Sequence, residues 1–238
     1  TAELLCPGQD HPLGAKRPPI GHFYYETFNR DNVELVDVSG NAVEDITPTG
    51  VRLADGTEHD VDMIIFAMGF DALTGAVTAM DIRGKGGSTM TEKWRSGPRT
   101  HLAMSVDEFP NFFLIAGPQI PYANAPVIVE LTAEWIGEAI TYSREHEYTR
   151  MEPSGEAVEA YVEQCRQFVD ATVFKRGENI RSWFFGANIP GKAHAVGVNF
   201  GGVPNFVEQL RHESSTGYGN YHFSAAHKPT VGAVPASV

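Results

Sequence analysis

Apolar and polar positions divide the chain into stretches of two different periods. Residues 33–38 and 42–47 carry the two-residue period of strands. Asp55-Gly56 lies between two extended runs within residues 50–58, which predicts a hairpin. Residues 61–67 form a long apolar stretch ending at Gly69, and residues 112–116 form another, closed by Gly117 and Pro118. Runs of this kind predict strands buried on both faces, as in a parallel sheet.

The helical period appears later. A helix is predicted from near Pro126, a favourable residue for a first helical turn, with Val127, Leu131, Trp135 and Ile140 as its apolar stripe. A second is predicted over residues 154–174, with Ser154 as N-cap and Val158, Tyr161, Val162, Cys165, Phe168 and Val169 on its inner face. Residues 194–200 read as a short strand and 204–213 as a last helix. One or two helical turns are predicted within 23–31. Residues 1–22 read as a loop stiffened by Pro18-Pro19. The small, polar tail beyond about Ser224 is expected to be disordered.

Composition narrows the function. The chain has 238 residues, of which 42% are hydrophobic, and a formal charge of −12. An acidic surplus argues against nucleic acid, whose phosphates require clustered cations. No apolar run approaches the roughly 18 residues of a membrane span. Two cysteines, Cys6 and Cys165, make neither a disulfide framework nor a zinc set, and a reducing cytoplasm is expected. The nine histidines show no metal-ligand spacing, so no metal site is expected. There is no G-x-S-x-G elbow, no H-E-x-x-H and no G-x-G-x-x-G.

Three places can carry chemistry. The first is the pair of predicted strand ends at Gly69 and at Gly117-Pro118, because ligands of open α/β sheets bind beyond the carboxyl ends of strands. The second of these leads into the helix at Pro126, whose first amides favour an electron-rich ligand. The alternative is an ordinary strand-to-helix loop. The second place is Lys16-Arg17, two cations held by prolines in an acidic chain and suited to an anion; the alternative is a solvated surface pair. The third is Trp183 with Asn188, Pro190, Gly191 and Lys192. An indole there suits a ribose or nicotinamide, or else it is a core residue beside a turn.

In order along the chain, Lys16-Arg17-Pro18, the stretch Tyr24-Tyr25-Glu26-Thr27-Phe28-Asn29-Arg30-Asp31-Asn32-Val33, and residues 66–75 match one known pattern. Phe109-Pro110-Asn111 leading to Gly117-Pro118, and Ser182-Trp183 with residues 186–192, complete it. From about Leu4 to about Phe223 the sequence resembles the flavin-dependent Baeyer–Villiger monooxygenases of the cyclohexanone and phenylacetone type. The fold class implied is α/β, an incomplete C-terminal portion of a flavoprotein with two dinucleotide-binding, Rossmann-like domains for FAD and NADP. Residues 1–70 would be the end of the NADP-binding domain with its return linker. Residues 71–224 would be the C-terminal FAD-domain segment with a helical insert, and 225–238 a disordered tail. The chain starts on Thr1 and lacks the glycine motif, so the resemblance implies an N-terminal half of the same enzyme as a partner, and an inactive isolated piece.

The resemblance also implies roles. Arg17 matches the active-site arginine that stabilises the C4a-peroxyflavin and its adduct with the ketone, and Lys16 a lysine near the 2′-phosphate of NADPH. Trp183 matches a tryptophan touching NADP, with Asn188 in the same segment. Gly69, Gly117 and Pro118 fall at cofactor-binding turns, and Tyr122, Asn124 and Ala125 in the ketone pocket. Met68 departs from the pattern, which has Thr there. The activity implied is NADPH- and O₂-dependent conversion of a ketone to an ester or lactone. Related enzymes that oxidise nitrogen or sulfur, and a non-catalytic dinucleotide-binding or partner module, are the alternatives.

Overall fold

A computed structural model of the chain describes residues 1–6, 12–177 and 180–225. The tail expected to be disordered lies almost wholly outside the described residues. The chain divides into two units, Thr1–Phe70 and Asp71–Val238.

The first unit opens with two single-turn helices, α1 (Ala2–Leu5) and α2 (Tyr24–Thr27), and ends in a three-stranded antiparallel meander, β1 (Val43–Ile46), β2 (Gly50–Leu53) and β3 (Glu58–Asp60). The Asp-Gly prediction holds. Gly56 takes φ +88°, the Leu53 amide donates to Thr57 O at 2.9 Å, and Asp55 Oδ1 accepts from the Thr57 amide. Gly50 is required by packing, because a Cβ there would lie 1.9 Å from His59 O on the paired strand.

Two expected strands are absent from this unit. Residues 33–38 are irregular. Residues 61–67 form no strand either, and Met63, Ile65 and Phe66 are exposed. A strand exists only through its neighbours' hydrogen bonds, and among the described residues neither segment pairs with a strand.

The second unit carries the larger core. Single-turn helices α3 (Gly75–Thr78) and α4 (Met90–Lys93) come first, the latter closed by a capping box between Thr89 and Glu92. Val77, Met90, Trp94, Val106 and Phe109 pack together around them. After the two-residue strand β4 (Ile120–Pro121) runs the long helix α5 (Ala125–Glu145). β5 (Arg150–Pro153) leads into α6 (Gly155–Asp170), and β6 (Val198–Asn199), α7 (Val203–Ser215) and β7 (Tyr221–Ser224) follow. β5 pairs antiparallel with β7, and β4 parallel with β6.

The sequence places the three long helices well but rotates α5. Its buried residues are Ile128, Thr132, Trp135 and Ala139, while Val127 and Ile140 are exposed. Thr132 fits the core because its hydroxyl donates to Ile128 O at 2.8 Å. Ser154 caps α6 as expected, its Oγ accepting the Ala157 amide. Trp135, Tyr161, Cys165, Phe206, Leu210 and Tyr218 meet in one core, where the Trp135 indole donates to Leu210 O at 3.2 Å. Phe206 and Leu210 each contribute roughly 1.5–3 kcal/mol by leaving water. Burial pushes the Cys165 thiol up to about 12, so it stays protonated and inert.

The strand expected at 112–116 is also absent. Phe113 makes only an isolated bridge to Ser105, and residues 115–116 turn instead. Its side chains go different ways: Phe112 and Leu114 pack on the Met90–Trp94 cluster, Phe113 on the Trp135 core, and Ile115 is exposed.

Candidate functional site

In the second unit, the loop from Gly117 to the start of α5 is set by close packing. Gly117 and Pro118 are buried, and a Cβ on Gly117 would meet Ala103 O at 2.4 Å and Leu114 Cβ at 2.8 Å. The glycine therefore answers to its own protein neighbours, a packing demand separate from the cofactor role expected of it from sequence. Gln119 follows, buried at φ +66°. β4 then pairs with β6, and the Tyr122 amide donates to Asn199 O at 2.9 Å.

Beyond this anchor the chain is open. Tyr122, Asn124 and Ala125 are exposed. Asn124 is the N-cap residue of α5, but its side chain makes no capping bond. The helix thus presents its uncapped positive end at the exposed edge of the loop, a place where partial charge favours an electron-rich ligand.

The Trp183 segment lies against the same loop. Trp183–Phe185 is one turn of 3-10 helix, started by Ser182, whose Oγ accepts the Phe184 amide, and ended by Gly186 at φ +70°. Phe184 and Phe185 are buried and leave Trp183 half buried beside them, its ring centroid 4.4 Å from that of Phe184. Tyr122 packs edge-on to Phe184 at 5.2 Å.

Trp183 also lines a cavity of about 380 Å³, with Trp94, Arg95, Leu73, Ile189 and Lys192 among its walls. This size falls within the range of small-molecule pockets. Lys192 crosses its rim, paired with Asp71 and donating to Ala72 O at 3.1 Å. Asn188 is half buried in the adjoining turn.

So the structure brings together Gly117, Pro118, Tyr122 and Trp183, all in the second unit. Lys16, Arg17 and Gly69 belong to the first. Both cations are exposed and follow the buried Ala15, whose amide donates to Pro12 O at 3.1 Å. Gly69 takes φ +85°, and no atom lies within 4 Å of a Cβ placed on it. That is a conformation glycine adopts freely, in open surroundings. Neither glycine ends a strand, since both predicted strands are missing, and the strand-end argument falls for both.

Sequence reasoning missed Thr100, Gln119, Asn199 and the hydroxyl of Tyr161, which form a buried polar network behind the loop. Tyr161 was visible only as an apolar stripe residue, and a glutamine between two prolines carries no helical or strand signal. Burial raises the Tyr161 phenol well above its ordinary range, so it stays a neutral donor. Among the described residues no cluster of three metal-ligating side chains occurs, and no helix is long and apolar enough to cross a membrane.

Comparison with known proteins gives these loops a context. No protein-family model matches the chain. It is 44% identical over 218 residues to a Baeyer–Villiger monooxygenase of Pseudooceanicola batsensis, covering 92% of this chain and 39% of that protein. It is 37% identical over 218 residues to a phenazine N-monooxygenase of Lysobacter antibioticus, again 92% of this chain and 39% of the relative. The solved structure of OTEMO in complex with FAD and NADP superposes with a TM-score of 0.86 at 34% identity, over 94% of this chain and 40% of that one. The chain thus spans about two fifths of the length of the curated relatives it matches. Its fold is a C-terminal-like part of that of flavin monooxygenases.

Proposed function

We propose that this chain is the C-terminal portion of an NADPH- and O₂-dependent flavin monooxygenase of the Baeyer–Villiger type, which inserts oxygen beside a ketone carbonyl to give an ester or lactone. The observation that carries this reading is the 44% identity to a Baeyer–Villiger monooxygenase across nearly the whole chain. The site geometry supports it. An exposed, uncapped N-terminus on α5 fits the electron-rich edge of a flavin, and the aromatic wall at Trp183 fits a flat ring. When bound, FAD with NADPH and O₂ supplies the oxygen-transfer chemistry.

The residues of this chain would then divide the work. Arg17 supplies a permanent cation to the anionic oxygen that develops during transfer, because a guanidinium stays protonated at any working pH. Lys16 binds the 2′-phosphate that distinguishes NADPH from NADH. Trp183, with Asn188 in its segment, contacts the nicotinamide cofactor. Tyr122, Asn124 and Ala125 line the ketone pocket and exclude water from it. Gly69, Gly117 and Pro118 shape the turns against the cofactors. Met68 offers no hydroxyl at its turn and is fully in the open, so it adds no polar contact there. The remaining part of the enzyme completes the flavin site, and the isolated chain does not turn over. With Cys6 and Cys165 both free, the reading fits a reducing, cytoplasmic setting.

A second reading is oxidation at nitrogen, favoured by the 37% identity to a phenazine N-monooxygenase. The complete flavin-loaded protein, given NADPH with a cyclic ketone, a heteroaromatic amine or a sulfide in separate reactions, separates the two. A lactone from the ketone is expected. An N-oxide with no lactone moves the assignment to the second reading, and no product with any of the three overturns both.

A further inference from the structure

The buried network behind the loop links two places that the proposed function treats separately. Gln119 is 1% exposed and has every polar side-chain atom satisfied. Its Oε1 accepts from the Thr100 amide at 3.0 Å and the Thr100 hydroxyl at 2.7 Å, and its Nε2 donates to Pro98 O at 3.2 Å. Its backbone is held as firmly. The amide donates to Gly197 O at 2.7 Å, and the carbonyl accepts from Tyr161 Oη at 3.0 Å. Tyr161 Oη in turn accepts from Asn199 Nδ2 at 3.1 Å.

Gly197 is the relay. Its amide donates to Phe184 O at 2.8 Å, inside the turn that carries Trp183, and the Ala195 amide donates to Phe185 O at 3.0 Å. The relay is packed tightly, since a Cβ on Gly197 would lie 2.5 Å from Leu73 Cδ1 and 3.0 Å from Phe184 O. Two successive hydrogen bonds therefore connect residue 119 to the Trp183 turn. Tyr122 against Phe184 adds a second, apolar contact between the same two segments.

We propose that Gln119 is a positioning residue that holds the 117–124 loop and the Trp183 turn in one arrangement, so that the two move together. The coupling is a property of this chain. Its consequence for ligands rests on the proposed function: a cofactor held at Trp183 and a substrate held at the 117–124 loop stabilise the same arrangement. Each then tightens the other's binding, since such coupling is reciprocal.

Gln119→Met isolates the side chain. Methionine has nearly the same length and also carries a Cβ, so the backbone strain at φ +66° is unchanged while all three polar contacts are lost. Thr100→Val is the milder partner, keeping the shape of residue 100 and its amide bond to Gln119 Oε1 while losing the hydroxyl that donates to Oε1 and to Pro118 O. Hydrogen exchange on the full chain reads the coupling without any cofactor. The Ala195 and Gly197 amides should exchange about ten-fold faster in Gln119→Met, with Thr100→Val between it and the parent, while β5 and β7 stay unchanged.

No change at residues 195 and 197, or an equal acceleration in β5 and β7, overturns the proposal. In the complete flavin-loaded enzyme, Gln119→Met should raise KM for NADPH by about five-fold with kcat within about two-fold. If exchange at 195 and 197 accelerates as stated while KM for NADPH is unmoved, the coupling stands and the assignment of the Trp183 turn to NADPH fails.

Discussion

Replacing Gly117 by alanine separates two accounts of the same glycine. In one, glycine lets a cofactor approach the backbone; in the other, it lets two protein segments touch. The geometry favours the second. The added methyl would sit 2.4 Å from Ala103 O, 2.8 Å from Leu114 Cβ and 3.0 Å from Leu114 Cδ1. Ordinary contact is near 3.4 Å, so a backbone carbonyl would have to retreat by about 1 Å in a close-packed interior. Ala103 is fully buried, and the segment is tied further by the Leu114 amide donating to Met104 O at 2.8 Å. Overpacking of this kind costs about 1–3 kcal/mol, and a backbone obstacle places it near the upper end. For a unit of this size, about 3 kcal/mol lowers Tm by roughly 6–12 °C. Circular dichroism melts of parent and Gly117→Ala, with no cofactor present, measure it directly. An unchanged Tm with lost flavin binding in the complete enzyme would refute the packing argument.

Other outcomes follow from the same contacts. Native protein should release one equivalent to a thiol reagent near pH 8, from exposed Cys6, and a second only in denaturant, because Cys165 is buried with its thiol raised to about 12. Burial works against the charge of Glu213, but the His101 imidazole at 3.5 Å and both donors of Asn220 outweigh it and hold the carboxyl below its usual 4.5. A depressed folded-state value means that this stabilisation is complete above pH 4.5 and fades as pH falls through the folded value. Glu213→Gln should therefore flatten the acid limb of an urea-stability profile, and an acid limb identical to the parent's would contradict that. Lys192→Met removes the tie to Asp71 and Ala72 O, and should speed proteolytic cleavage within 186–195 by several-fold while changing Tm little, since a partly exposed ion pair contributes only about 0–1 kcal/mol. Cleavage at the parental rate would show that the loop is held by other contacts.

The helices were legible because each carries its own signal. Ser154 before an apolar stripe marked α6, Pro126 marked α5, and Asp55-Gly56 marked the β2–β3 turn. The capping box at Thr89 and Glu92 was equally open to reading, as a Thr followed three residues later by Glu. The strands at 33–38, 61–67 and 112–116 were overread for one reason. Apolar character says that a segment is to be covered, but the covering partner is not written in the segment. The rotation of α5 has a similar origin, because Thr132 looks polar until its hydroxyl is seen to bond Ile128 O.

The candidate site divides along the same line. Trp183 stood out as an aromatic residue in a glycine- and proline-rich stretch, and Arg17 as a cation in an acidic chain. Gln119 did not, because its role comes from Thr100, Pro98, Gly197 and Tyr161, which are far apart in sequence.

Arg17 gives the most direct test of the central claim. In the complete flavin-loaded enzyme, Arg17→Ala should lower kcat for ketone oxygenation by about 10²–10³, the scale of losing one charge-stabilising group, while NADPH still reduces the flavin in a single-turnover absorbance trace. Lactone formation at the parental rate would contradict the account.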